Sequence, residues 1–279
     1  MSDDPRVRRV VVPGASTGRV VVVTGASRGI GAALAIRLAG RGDSVVCIAR
    51  TVSTSSRTPG TLDDTIDAIR AAGGTAHAIV ADLSDEQQTI ESMLEAALVF
   101  GRVDVLVNNA AAAIFGDGST MSQKAYEVTM AVNVRAAMLM SEIAIEKMSE
   151  VGGDVVNVSS IAACVDAPGY EVYGMSKAAL EHLTITTARR VVARSVRVNC
   201  LRVDCFIGSE GALQATGGQW LEGMLVSDVA AAGIEWILDQ RGTYTGRVVE
   251  LSSLPVADPD ALQRSRRLAI GANPPISID

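Results

Sequence analysis

Seven short runs of β-branched and small apolar residues recur along the chain, separated by longer stretches with helical apolar spacing, and this alternation limits the fold more than any other feature. The runs lie at residues 20–24, 44–49, 75–80, 103–108, 154–159, 195–201 and 247–251. Between them the spacing predicts helices over residues 29–40, 62–72, 87–100, 123–149, 173–193 and 226–239. Repeated strand-helix units with right-handed crossovers give an α/β protein, a doubly wound parallel sheet flanked by helices on both faces. Only 3% of the residues are aromatic while 48% are hydrophobic, so Val, Ala, Leu and Ile must fill the core. Parallel strands covered on both faces have that composition.

Linker-like composition occurs only at the ends, which argues for a single domain over residues 19–254, an N-terminal extension over 1–18 and an irregular C-terminal tail over 255–279 rich in proline. The extension holds VVVPGAS (10–16), a near-copy of VVVTGAS (21–27) without a helix pattern behind it. Residues 51–60 read as a surface loop. The Gly-rich stretch 207–225 reads as a substrate lid, with Leu213, Trp220, Leu221, Met224 and Leu225 available for a substrate, for packing or for a subunit contact. The net charge of −6 and the want of a basic surface speak against a nucleic-acid partner, the Arg264, Arg266, Arg267 run reading as a solvated face. Four scattered cysteines and two histidines have no metal-ligand spacing, so no metal is expected. With no signal peptide and no uncharged apolar span, no membrane partner and a cytoplasmic location are the expectation.

The first run leads into TGASRGIG (24–31), which puts Gly25, Gly29 and Gly31 in a strand-to-helix turn. Glycines there let the backbone turn sharply, bring its N–H groups to a pyrophosphate and pack the helix on the sheet, as in a Rossmann-type nucleotide fold. The second run ends Ile48, Ala49, Arg50, without the carboxylate that would bond ribose hydroxyls. Arg50, joined by Arg28 from the glycine turn, can pair a ribose phosphate, which favours NADP(H) with NAD(H) still possible. Asp82 can accept from an adenine amino group or cap the following helix.

Tyr173 and Lys177, in YGMSK, stand one helical turn apart. A neighbouring cation favours the phenolate, which makes the two an acid/base pair. Ser160 ends the fifth run, where its hydroxyl can meet a reacting oxygen or cap the strand.

These motifs, in this order, resemble the short-chain dehydrogenase/reductase family from about residue 19 to 251: TGASRGIG, Asp82-Leu83, NNAA (108–111), Asn133 in AVNVRAA, Ser160 and YGMSK. The resemblance implies a dinucleotide site at Gly25, Ser27, Arg28, Gly29, Ile30, Gly31, Arg50, Asp82, Leu83, Asn109, Ala110, Ala111, Tyr173 and Lys177. It implies a catalytic tetrad of Asn133, Ser160, Tyr173 and Lys177 that interconverts a carbonyl and an alcohol. Lys177 would depress the Tyr173 pKa, and Asn133 would hold a water of a proton relay. Small, apolar carbonyl or alcohol substrates and a homodimer or homotetramer complete the expectation; a non-catalytic nucleotide-binding regulator on the same fold is the alternative. One departure stands out: where the family usually has Pro-Gly after the sixth strand, this chain reads Leu201, Arg202, Val203, Asp204, Cys205. Arg202 and Asp204 can pair with each other there or meet a polar substrate.

Overall fold

The computed structural model describes residues 18–51, 59–116, 119, 121–149, 151–165, 168–215 and 218–271. The N-terminal near-repeat, most of the 51–60 loop and the last eight residues of the tail lie outside the described residues. Seven parallel strands form one sheet: β1 (Val20–Thr24), β2 (Ser44–Ala49), β3 (Thr75–Val80), β4 (Val105–Asn108), β5 (Gly153–Ser160), β6 (Val196–Val203) and β7 (Val248–Glu250). Their spatial order is β3-β2-β1-β4-β5-β6-β7. This is the doubly wound Rossmann-type sheet. Its winding reverses between β1 and β4, and a crevice must open there at the carboxyl ends of the strands.

Alternation of side chains along β1 divides the core in two. Val21 and Val23 pack with Leu34 and Leu38 of α1 (Gly29–Gly40), Ile66 and Ile69 of α2 (Leu62–Ala71) and Ile234 of a later helix, Ser227–Leu238. Val22 faces the opposite layer, with Met93 of α3 (Glu86–Val99) and Met140, Ala144 and Ile145 of the long central helix.

That central helix differs from its expected form. The single helix expected over 123–149 is α4 (Gln123–Met130), a π-helical turn (Ala131–Ala136) and α5 (Ala137–Met148). The reason is a tertiary contact: Asn133 sits in AVNVRA, and its amide is drawn into bonds with the Ala112 backbone beyond β4. Widened turns of this kind commonly mark functional sites. After α6 (Glu171–Val191) and β6, the 207–225 stretch folds into a short helix, α7 (Glu210–Ala215). It is pinned at its base where Gly208 N donates to Leu225 O (2.8 Å) and Leu225 N to Phe206 O (2.9 Å). The Ser227–Leu238 helix is α8.

The tail is not irregular as expected, because residues Pro259–Gly271 form α9. Pro259 opens the helix, where a missing N–H costs nothing, and Asp258 accepts from Ala261 N (2.9 Å) as its cap. Leu262, Ser265 and Ala269 form its buried stripe.

Arg202 and Asp204 do not pair with each other. They join a chain of ion pairs that ties α6 to α9. Arg202 donates to both oxygens of Glu181 on α6 (2.9 and 2.7 Å) and to Glu250 at the end of β7 (3.1 Å). Glu250 meets Arg266 of α9 (3.3 Å), and Arg266 reaches Asp204 (2.9 Å). Asp204 is fully buried and also accepts from Ser252 N (2.9 Å) and Ser252 Oγ (2.5 Å). A buried carboxylate is tolerated only when so many donors replace water. We therefore expect Asp204→Ala to destabilise the fold by about 2–4 kcal/mol in urea unfolding, the lower half reflecting the partial exposure of Arg266, with Asp204→Asn costing less. An unchanged midpoint for Asp204→Ala would show that α9 is held by its apolar stripe alone.

Candidate active site

The crevice at the winding reversal is a cleft of about 520 Å³ that runs from the β1–α1 turn to Tyr173 and Lys177. Every candidate dinucleotide residue lines it except Gly31, and of the tetrad Ser160, Tyr173 and Lys177 line it while Asn133 stands behind the wall.

The glycine turn is built by exclusion of side chains. Gly25 and Gly29 have φ of 67° and 57°, the left-handed region. Gly31 has ordinary geometry but no space: a Cβ there would lie 2.4 Å from Gly25 O and 2.5 Å from Asn109 Nδ2. Asn109 supports the turn from β4, donating from Nδ2 to Thr24 O (2.8 Å), while Thr24 Oγ1 accepts from Asn109 N and Ala110 N (both 3.0 Å). The helix behind the turn, α1, has no side-chain cap and no acid in its first turn. By contrast α2, α3 and α4 are capped by Thr61, Asp85 and Ser122. The α1 terminus therefore keeps its N–H groups and partial positive charge for an anion.

At the β2 end of the cleft, Arg28 donates to Gly60 O (2.9 Å) and Arg50 is largely exposed, 3.9 Å from Asp82. Asp82 serves its own turn, accepting from Ser84 N (2.9 Å) and Ser84 Oγ (2.8 Å).

At the other end, Ser160 closes β5 and its Oγ accepts from Ala162 N (3.3 Å). It also hydrogen-bonds Tyr173, one turn into α6. Lys177 is buried, donates to Val158 O (2.8 Å), and lies 5.7 Å from the centre of the Tyr173 ring. Burial governs both groups: it pushes Tyr173 up to about 12, against the Ser160 bond that favours the phenolate, and it pulls Lys177 down to about 8. The expected depression of Tyr173 by Lys177 does not prevail: desolvation of the phenol outweighs the Ser160 bond, and Lys177 donates to Val158 O. Asn133 accepts from Ala112 N (2.8 Å) and donates to Ala112 O (3.1 Å) and Ser176 Oγ (2.9 Å). Both amide hydrogens are thereby used, so its side chain braces the 109–112 strand end against α6.

Several lining residues escaped the sequence reading. Phe115 stacks on Tyr170 (centroids 4.6 Å apart) and meets Tyr173 edge-on (5.4 Å), and Phe206 and Ala269 of α9 complete that end. Their signal was scarcity: the chain has three Phe and four Tyr, and four of these seven line the cleft. Of the lid stretch, Ile207, Ser209 and Ala212 reach the cleft, whereas Leu213, Trp220, Leu221, Met224 and Leu225 do not. Met224 is buried, Leu225 packs on the core, and the Trp220 ring lies against the Gly208 backbone. Of the former Pro-Gly segment, Val203 and Cys205 line the cleft while Asp204 turns away to Arg266.

Comparison with known proteins places this geometry. A family model described as short chain dehydrogenase matches residues 19–206. An uncharacterized oxidoreductase of Methylorubrum extorquens is 37% identical over 248 residues, which are 84% of this chain and 96% of that protein. Another from Thermotoga maritima is 39% identical over 186 residues, 66% of this chain and 70% of that protein. The structure of a short chain dehydrogenase from Burkholderia cenocepacia in complex with NADP superposes with a TM-score of 0.73 at 29% identity, covering 85% of this chain and 97% of that one. The matched span contains the glycine turn, Asn133, Ser160, Tyr173 and Lys177 together, and the chain belongs to the short chain dehydrogenase family of NAD(P)-binding oxidoreductases.

Proposed function

We propose that this oxidoreductase interconverts a ketone or aldehyde with its alcohol, using NADP(H) in preference to NAD(H) and Tyr173 as the acid/base. One observation carries the reading: the Tyr173 side chain, hydrogen-bonded to Ser160 and with the Lys177 ammonium 5.7 Å from the centre of its ring, lines the same cleft as the glycine turn. The residues suit a dinucleotide. The turn leaves no room for Cβ atoms at Gly25 and Gly31, the α1 N-terminus is uncapped, and Asn109 to Ala111 continue the wall toward Lys177. Ser27, Gly29 and Ile30 would hold the pyrophosphate with their backbone, Asp82 and Leu83 would border the adenine, and Lys177 would hold the nicotinamide ribose. Bound there, the nicotinamide supplies or accepts the hydride.

The protein's part is to hold one oxygen and move one proton. Ser160 donates to the substrate oxygen and withdraws charge from the carbonyl carbon. Tyr173 gives its proton to that oxygen as the alcohol forms, and takes it back in the reverse direction. With its pKa near 12, Tyr173 is fully protonated at neutral pH and ready to donate. With the single Ser160 O–H committed to the substrate oxygen, stabilising the phenolate left behind falls to the Lys177 charge. Arg50, with Arg28, would pair a ribose phosphate, and no acid at the end of β2 opposes it.

Tyr173→Phe should lower kcat a hundredfold to ten-thousandfold while retaining dinucleotide binding, the cost of losing a positioned proton donor; turnover unchanged by the substitution would remove Tyr173 as the acid/base, and a wild-type protein that binds the dinucleotide but turns over no carbonyl or alcohol would favour the regulatory alternative. Arg50→Ala should reduce the ratio of NADPH to NADH kcat/KM about tenfold or more, as loss of a charge-assisted phosphate contact requires. A wild-type preference for NADH would overturn the assignment of Arg50. The pH profile has a definite sign. Lys177 keeps its charge below pH about 8 and loses it above. Reductive kcat/KM for the cofactor should therefore be level below that pH and decline above it, with Tyr173 still protonated. A profile level to pH 10 would exclude Lys177 as the controlling cation.

A further inference from the structure

The catalytic end of the cleft has a chemistry of its own, different from the dinucleotide end. Among the described lining residues, the charged side chains other than Lys177 are Arg28, Arg50 and Asp82, and all three stand at the β1–β3 side. On the side of Ser160 and Tyr173 the lining is apolar and aromatic, with Phe115, Ile161, Tyr170, Val203, Cys205 and Phe206. Lys177 is buried and donates to Val158 O, so its charge is not presented as a partner for a substrate carboxylate. Arg202, the other nearby cation, is held by Glu181 and Glu250. An ionised substrate group would be desolvated there without a counter-charge.

The apolar wall is also organised. Gly116 N donates to Gly169 O (2.9 Å), tying the loop after β4 to the loop before α6. That bond sets Phe115 against Tyr170 at 4.6 Å and against the edge of Tyr173 at 5.4 Å, a three-ring corner directly beside the reacting hydroxyl. Phe115 remains 47% exposed, although it belongs to a chain with only 3% aromatic residues, so the corner presents uncovered ring surface. Phe206 is held in place from α9, its N donating to Ser265 Oγ (3.0 Å). Small residues, Ala112, Ala212 and Ala269, border the same space and leave width. Ring faces with small residues beside them suit a flat, uncharged body.

We infer that the substrate is a neutral, ring-bearing carbonyl compound or its alcohol, whose ring system lies on the Phe115–Tyr170 corner with its oxygen toward Ser160 and Tyr173, and that Phe115 sets this preference. The inference rests on the carbonyl/alcohol reading above and adds the substrate class to it. The test uses the full chain with saturating NADPH and four probes: 2-butanone, acetophenone, 1-tetralone and pyruvate. We expect kcat/KM to rise from 2-butanone to acetophenone to 1-tetralone by about a hundredfold overall, with pyruvate at least about a hundredfold below 1-tetralone. Phe115→Leu, which keeps apolar bulk but removes the ring face, should cut the 1-tetralone to 2-butanone ratio about tenfold, and Phe115→Trp should restore it. Melting temperatures of the variants report on folding. Where Phe115→Leu fails to fold, the wild-type ranking and competitive inhibition by 1-tetralol against 2-butanone decide. Pyruvate or 2-butanone as the best probe, or a ratio unmoved by Phe115→Leu in a folded variant, overturns the ring assignment and leaves the carbonyl/alcohol reading intact. No reduction of any probe by an enzyme that binds NADPH overturns both.

Discussion

The close approach of three backbones at Gly25, Gly31 and the strand end at Asn109 is the constraint on which the rest of the cleft depends. The side chain of Asn109 fills the space that a Cβ on Gly31 would need, and its amide hydrogens go to Thr24 O and Gly25 O. The first helix can therefore start against the sheet rather than away from it, with its N–H groups turned into the crevice. One contact thus joins the winding reversal, a property of topology, to an anion-binding helix end, a property of the local sequence. Everything farther along the cleft is measured from that junction.

The other end is governed by desolvation. Burial moves Tyr173 and Lys177 toward their neutral forms, one up to about 12 and the other down to about 8. A charge that forms there in a reaction meets few competing waters, so each fixed hydrogen bond counts for more than it would at the surface. Ser160 on Tyr173 and Val158 O on Lys177 are the fixed partners of the two groups. Asn133 contributes by bracing: its amide locks the strand end at Ala112 to Ser176 on α6, within the helical turn that separates the two residues.

Where Pro-Gly is usual in the family, this chain has an ionic seam that secures the substrate end. Glu181, Arg202, Glu250, Arg266 and Asp204 run from α6 across β6 and β7 to α9, and α9 in turn holds Phe206 through Ser265. The seam stands one turn beyond Lys177 on α6, and Ser159, beside Ser160, donates to Glu181 (2.8 Å). The same carboxylate thus touches the strand that carries Ser160 and the cation that anchors the C-terminal helix.

Period and punctuation in the chain were enough to determine the seven strands, five of the helices as single elements, the parallel class and the glycine turn, because these follow from interactions within a few residues of one another. The order of motifs likewise located Ser160, Tyr173 and Lys177. Tertiary structure alone decided the π-helical turn at Asn133, the anchoring of the helix after Pro259, the partners of Arg202 and Asp204, and the aromatic corner. Each of these is settled by a group 16 or more residues away: Ala112 for Asn133, Glu250 for Arg266, Gly169 for Gly116. A run of residues records its own spacing, but not which distant carbonyl or carboxylate will be brought within hydrogen-bond reach when the sheet closes. The same limit applies to ionisation, since the burial that shifts Tyr173 and Lys177 is made by walls contributed from the whole length of the fold.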